Sequence, residues 1–265
     1  MKINLTPTQI GTIYEEVEAT AALPAYATTV YDPTANDSVA QYVQMDDARV
    51  HTSGKKLEGN DTVTPLDVKV RSIYKLLTFD DSLQGNALVE EIIRQLPAVI
   101  AKAIDQLPAG YLLDQSGNVV PTVITKEETV DGTAASWMGV VDAQQKDHFG
   151  INGWVLDQSA VPLLRQANTN DFTTLGTADL PAGFRVGGAP FSFRDNFAKG
   201  DELGYALSKA GSRLVIQPSI KLRVFNPEDN WELQQLNQIG VYAGIRAGFA
   251  ALPGAARRIV DGSAA

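Results

Sequence analysis

The chain has 265 residues, 44% of them hydrophobic, enough for one large domain or two modest ones with a real core. Thirty-one acidic residues against 22 basic ones give a formal net charge of −9, which excludes tight binding of nucleic-acid phosphates but not a loosely held DNA neighbour. The absence of cysteine excludes disulfides, thiolate catalysis and sulfur-ligated zinc, and with no signal-like start and no apolar run near the ~18 residues of a membrane span the protein is expected to be soluble and made in the cytosol.

In chain order, residues 8–20 set Ile10, Ile13 and Val17 on one helical face with Glu15, Glu16 and Glu18 elsewhere, the pattern of a short amphipathic helix. From Ala21 to Met45 the periodicity dissolves around Pro24 and Pro33. Such a segment has to lie against its own body or a neighbouring subunit. Next, Leu66, Val68, Val70 and Tyr74 alternate with Asp67, Lys69, Arg71 and Lys75, the period of a half-exposed strand. A shorter strand is expected near Arg49–Thr52, and the polar stretch Ser53–Asp61 between them reads as a hairpin tip. The resulting two-stranded arm has little apolar surface, and an isolated hairpin is marginal in water, so it is expected to rest on another chain.

The strongest helix follows. Val89, Ile92, Ile93, Leu96, Val99, Ile100, Ala103, Ile104 and Leu107 repeat at three-and-four spacing. Asp80, Asp81 and Ser82 are candidate caps, Glu90 and Glu91 suit an early turn, Pro97 predicts a kink, and Pro108-Ala109-Gly110 ends the run. Residues 111–135 offer two strands, around Leu112 and Val119–Ile124. A helix is expected near 136–147, a short buried strand at Gly153–Asp157, and a helix from Ser159 to Ala167. The stretch 180–198 reads as loop and strand. Further strands are expected at 203–207, 212–217, 220–225, Gln235–Phe249 and 255–260. The mixed order defines an α+β class without internal repeats.

Residues that could carry chemistry are few. His51 and His148 fall in different predicted elements and read as structural, since a triad or metal site needs converging partners. Ser53-Gly54-Lys55-Lys56 fits a Ser-x-x-Lys pattern, but lies in a hairpin tip and lacks the companion motifs of the enzymes that use it. Gly183–Gly188 is glycine-rich without the Gly-Lys-Ser/Thr that closes a phosphate loop, so its glycines read as turn residues. The pairs Asp46-Asp47, Asp80-Asp81, Glu90-Glu91 and Glu127-Glu128 read as solvated faces or helix starts and not as divalent-cation ligands. No catalytic residue, cofactor or metal is expected. Lys55 and Lys56, exposed at the tip, are the candidates for contact with acidic groups of an adjacent subunit.

An extended arm, a long hairpin, a long spine helix, a mixed region with Gly153-Trp154-Val155-Leu156-Asp157 and a strand-rich tail follow one another in an order that resembles the Hong Kong 97-like major capsid proteins of tailed phages. Val68–Leu83 is similar to that family's hairpin return strand leading into the spine helix. Gly153–Leu164 is similar to the strand and helix that open its axial domain, and Leu222–Val260 to its return through the peripheral domain. The resemblance implies an N-terminal arm at 1–45, an extended hairpin loop at 46–77, a peripheral domain at 78–135, an axial domain at 136–218, and a return with a final axial strand at 219–265. It implies a major head protein and not an enzyme, assembling with itself as pentamers and hexamers into an icosahedral virion shell around double-stranded DNA that it does not read by sequence. Separate scaffolding, portal, and decoration or minor capsid proteins are the implied partners, with no membrane, and synthesis is in the host bacterial cytoplasm. The arm starts close to Met1, so scaffolding is expected to be separate or dispensable. Some members cross-link a hairpin lysine to a neighbour's asparagine, helped by a glutamate seven residues after it. Lys55 or Lys56 and Asn237 match the first two positions, but Gly244 stands where the glutamate would be. Without that base the amine stays protonated, and a non-covalent shell is expected. Encapsulins, bacterial compartment shells of the same fold that begin with a cargo-binding helix, are the alternative that residues 8–20 keep open. A small soluble enzyme would need a concave pocket with converging titratable groups.

Overall fold

The computed structural model describes residues 6–34, 38–44, 62–80, 86–112, 120, 122–171, 185–225 and 231–263. Helix α1 (Pro7–Thr20) opens with a capping box: Thr6 Oγ1 accepts from the Gln9 N–H at 3.3 Å, and Gln9 Oε1 accepts from the Thr6 N–H at 2.8 Å. Its apolar face buries Ile13 and Val17 completely. Ala21, Ala22, Leu23 and Ala27 are buried as well. The short α2 (Leu23–Tyr26) and β1 (Thr28–Tyr31) follow, so the stretch without periodicity belongs, at its start, to the subunit's own body.

The hairpin consists of β2 (Ser38–Gln44) and β3 (Thr62–Val68), paired antiparallel from Ser38↔Val68 to Gln44↔Thr62. Its outgoing strand therefore lies upstream of Arg49–Thr52, and residues 45–61 are outside the described ones. The returning chain divides at Lys69. Beyond it, β4 (Val70–Asp80) leaves the hairpin and pairs along its whole length with β11 (Gln238–Ala251), from Val70↔Gly248 to Asp80↔Gln238. The division changes the inward parity. Leu66 and Val68 are buried, as the alternation predicts, but in β4 the buried residues are Ile73 and Phe79 while Tyr74 is exposed. The reason is that β3 lies over one face of the central sheet, whereas β4 is a strand of that sheet and turns Ile73 and Phe79 to the other face. Leu66 and Val68 join Phe149, Val215 and Ala250 on one side; Ile73 and Phe79 join the spine-helix core on the other.

That spine helix is α3 (Asn86–Asp105), continuous through the buried Pro97. Asp80 ends β4, six residues before the helix, and does not cap it; residues 81–85 are outside the described ones. Leu88, Ile92, Leu96, Ile100 and Ile104 are buried between α1 and the sheet, and burying a side chain of this size contributes about 1.5–3 kcal/mol. The turn after α3 ends at Gly110, whose φ of +73° and close approach to Thr122 N and Val120 O (2.7 Å to each from an added Cβ) admit only glycine. Near Leu112 and Val120–Ile124 the described residues form no strand. Val123 bonds back to the Pro108 carbonyl and Val120 to that of Leu112, which fastens this segment to the helix end. The strand comes later, as β5 (Lys126–Val130).

Then follow α4 (Ala134–Lys146), β6 (Gly153–Asp157), α5 (Ala160–Asp171), β7 (Phe191–Arg194), β8 (Glu202–Leu207), β9 (Ser212–Ile216), β10 (Lys221–Phe225), the five-residue α6 (Trp231–Gln235) and, after β11, β12 (Ala256–Asp261). The predicted strand from Gln235 thus begins three residues late, behind a helical turn. The central sheet runs β1-β9-β11-β10, with β4 on the opposite edge of β11; the second sheet runs β5-β12-β8-β6-β7. The second sheet's core sets Trp137 of α4 edge-on to Trp154 at 5.9 Å, with Phe191 stacked on Trp154 at 5.6 Å. The class is α+β.

Candidate assembly surfaces

The base of the arm is held by one buried carboxylate. Asp105, the last residue of α3, is completely buried. Its Oδ1 accepts from the N–H groups of Ala22 (2.9 Å) and Leu23 (2.8 Å), and its Oδ2 from Arg194 Nε at 2.7 Å. Arg194 also donates to the Thr20 carbonyl at 2.5 Å. Three segments remote in sequence (the α1–α2 turn, the spine helix and β7) meet here. Burial raises the Asp105 carboxyl above its ordinary range, against the lowering influence of Arg194 and the two backbone donors. No sequence signal marked this aspartate, which looks like any acid near a helix end.

Two adjacent arginines clamp the second sheet. Arg257 pairs with Glu128 and Asp147 and donates to the Ala143 carbonyl at 2.8 Å. Arg258 pairs with Glu127 and, at 2.9 Å, with Glu202. Successive strand residues point to opposite faces, so each face of β12 carries its own clamp. The Glu127-Glu128 pair is accordingly engaged by arginines and is not a merely solvated face.

Lys55 and Lys56 lie outside the described residues, as do His51, the Ser53–Lys56 pattern and Asp46-Asp47. Asn237 is exposed, with a φ of +49°, in the turn between α6 and β11, its N–H bonded to the Gln234 carbonyl at 3.3 Å. Gly244 is buried in mid-β11, where an added Cβ would sit 2.8 Å from Tyr242 Oη. A glutamate at 244 would have to displace that tyrosine. His148 is exposed in the turn after α4. Gly187 and Gly188 occupy a tight turn with φ of +61° and +78° between Val186 and Ala189, as turn glycines should. Among the described residues no group of three or more His, Asp or Glu is placed to hold a metal ion, and no helix is long and apolar enough to cross a membrane.

What composition and spacing did not reveal is a set of exposed apolar side chains around one end of the central sheet. Trp231 and Leu236 are 65% exposed, Leu76 51% and Tyr74 44%. Tyr74 had been grouped with the inward residues. Its exposure follows from the parity change at Lys69.

No family model matches the sequence, and no curated protein matches it at a significant level. Solved structures do match the fold. A structure from Microbacterium phage Oxtober96 aligns over 91% of this chain and 91% of its own, at 11% identity and a TM-score of 0.63. One from Mycobacterium phage Adephagia aligns over 98% of both chains at 11% identity and a TM-score of 0.58. The capsid structure of the cyanophage P-SCSP1u aligns over 89% of this chain and 86% of its own, at 11% identity and a TM-score of 0.50. The chain shares its fold with these phage structures, one of them a capsid structure. At these identities it is the fold, and not a sequence relationship, that is shared. Ile13 and Val17 of α1 are buried with α3 in the core, and the compartment alternative is not favoured.

Proposed function

We propose that this chain is the major capsid protein of a tailed double-stranded DNA phage, a structural subunit that assembles as pentamers and hexamers into an icosahedral shell. The observation that supports this most is the alignment of nearly the whole chain, in a single fold, with a structure from a phage, over 98% of each chain. In this reading the hairpin of β2 and β3 serves as the extended loop, α3 with the central sheet as the peripheral domain, and α4, α5 and the second sheet as the axial domain, so the expected arm at 1–45 gives its start to the subunit's own body and its end to the hairpin. Arm and hairpin overlap neighbours, and many modest interfaces add up to a container that withstands packed DNA. The acidic subunit keeps the genome off the wall by charge repulsion. Scaffolding, portal, and decoration or minor proteins are separate chains, and the protein resides in the virion after synthesis in the host bacterial cytoplasm. Electron microscopy of the purified protein is the test. Closed shells or ring-shaped capsomers are expected, and a compact monomer in every buffer that supports assembly of such proteins overturns the reading.

The hairpin tip gives a second expected result. Lys55 and Lys56 meet carboxylates of a neighbouring subunit, a contact worth about 0–1 kcal/mol per pair but repeated around every capsomer. Replacing both by Glu is expected to leave the subunit's helix content unchanged while lowering particle yield and the temperature of particle dissociation. The effect is expected to shrink in high salt, since exposed charges are screened over about 10 Å at 0.1 M. Unchanged assembly and thermal stability of the double variant would remove the contact. Asn237 is not expected to react with either lysine, since Gly244 supplies no base.

A further inference from the structure

The outer face of the central sheet, away from α3, is only partly covered. At one end β3 lies over it, with Leu66 and Val68 packed on Val215 and Ala250. At the other, α6 lowers Leu233 onto it, and an added Cβ on Gly240 would meet Leu233 Cδ1 at 3.1 Å and Leu76 Cδ1 at 3.6 Å. Between these covers, Tyr74 of β4 stacks on Tyr242 of β11 at 5.8 Å, and Leu76 is the register partner of Tyr242. Leu76 and Leu233 of α6 both approach Gly240, and on that helix Trp231 and Leu236 remain 65% exposed.

An exposed tryptophan and leucine beside a tyrosine stack form an apolar patch of the kind that marks a protein contact, because water gains from its removal and no internal partner removes it. The charge beside it is mixed, with the exposed Glu232 next to Trp231 and a cation on β10. Arg223 is the register partner of Tyr242 on β10, and it has no ion-pair partner among the described residues. The chain as a whole carries a net charge of −9. A surface that complements this patch is therefore apolar in the middle with both charge signs at its margin, and a second copy of the same chain, whose acidic excess can meet Arg223, supplies such a surface. Nucleic acid fits worse, since one or two cations neutralise too few phosphates to hold it.

We propose that the face built from Tyr74, Leu76, Tyr242, Trp231 and Leu236, with Arg223 at its margin, is a contact surface for a second copy of this chain. The inference rests on the shell-building reading and assigns that reading an energetic centre away from the hairpin-tip lysines. Trp231 anchors the contact, and Arg223 selects an acidic partner surface.

The test uses the full chain in two forms. Trp231→Glu and Leu76→Glu introduce charge at positions already exposed, so the subunit is expected to keep its circular dichroism spectrum and thermal midpoint. Sedimenting particles are expected to fall at least tenfold in either variant, and Arg223→Glu is expected to make the loss depend on salt. Separately, a photo-crosslinking phenylalanine analogue at position 231 is expected to give a covalent dimer whose cross-linked peptides both come from this chain. If wild-type protein assembles and the variants assemble in equal yield, the proposed surface is wrong and the shell reading stands. A cross-link to a different virion protein or to DNA would also overturn it, by naming another occupant. If wild-type protein never assembles, the shell reading fails first.

Discussion

Asp105→Ala is expected to destabilise the unassembled subunit by about 3 kcal/mol, since breaking a buried ion pair by removing one partner costs about 3–5 kcal/mol. The lower end applies because Arg194, with a side chain 20% exposed, can turn partly toward water. The remaining cost comes from Ala22 and Leu23, whose N–H groups lose the carboxylate and lie under the buried start of α2; an unsatisfied buried donor costs about 1–3 kcal/mol. Asp105→Asn keeps an oxygen for these donors and is expected to cost less than the alanine variant. Urea unfolding of all three proteins orders them, and amide exchange should show the loss concentrated at residues 20–27. A uniform loss of protection, or no loss of stability, would mean that Asp105 does not hold the arm base.

The same carboxyl makes stability depend on pH in a definite direction. Its folded pKa is raised above the ordinary carboxylate value, chiefly by burial. The folded protein therefore binds a proton more readily than the unfolded chain does. This group's contribution is fully present below the ordinary range near pH 4 and is lost as pH rises through the raised folded value. Relative to Asp105→Asn, which does not titrate, the wild type is expected to gain stability as pH is lowered from about 7 toward about 4.

The parts of the fold legible in the sequence are those whose pattern is local. Leu88 to Ile104 repeat at helical spacing because one face of α3 meets a single continuous core, and Gly153–Asp157 reads as a buried strand because both its faces are covered. The misread parts depend on distant chain. Ser38–Gln44 has no clean alternation and is recognisable as a strand only from its partner Thr62–Val68. Glu127 and Glu128 of β5 read as a solvated face and not as strand because the arginines that neutralise them, Arg257 and Arg258, stand about 130 residues later. Ile73 and Tyr74 exchange roles because the chain passes at Lys69 from a strand lying over the central sheet into a strand of the sheet itself, which periodicity through 66–75 conceals. Among the candidate site residues, the hairpin lysines stand out as a basic pair in an acidic chain but lie outside the described residues. The patch around Trp231 is not legible, because its members come from β4, β11 and α6, which only the sheet register and the packing of Leu233 on Gly240 bring together.

Arg257→Met is expected to cost about 3 kcal/mol, whereas Arg258→Met, its neighbour in sequence, is expected to cost about 1 kcal/mol or less. Both arginines hold two carboxylates, so counting ion pairs would predict equal losses. Burial separates them. The Arg257 side chain is 5% exposed, and that of Arg258 26%. Removing the Arg257 guanidinium leaves Glu128 and Asp147, each about 30% exposed, repelling one another beside an emptied site. Lys126, 4.0 Å from Asp147 and 48% exposed, sits too far out in solvent to replace the lost charge. Around Arg258, Glu127 is 48% exposed and rehydrates readily when its partner is lost, and the cost that remains comes from Glu202, 19% exposed. Methionine retains much of the arginine stem's packing in both variants, so the difference reports on the charged head group. Denaturant unfolding at low and high salt checks both parts. The Arg257→Met loss should persist at high salt, because a buried pair is poorly screened, while the smaller Arg258→Met loss should fade. Equal losses would show that the two clamps are worth the same, and that burial at β12 does not set their strength.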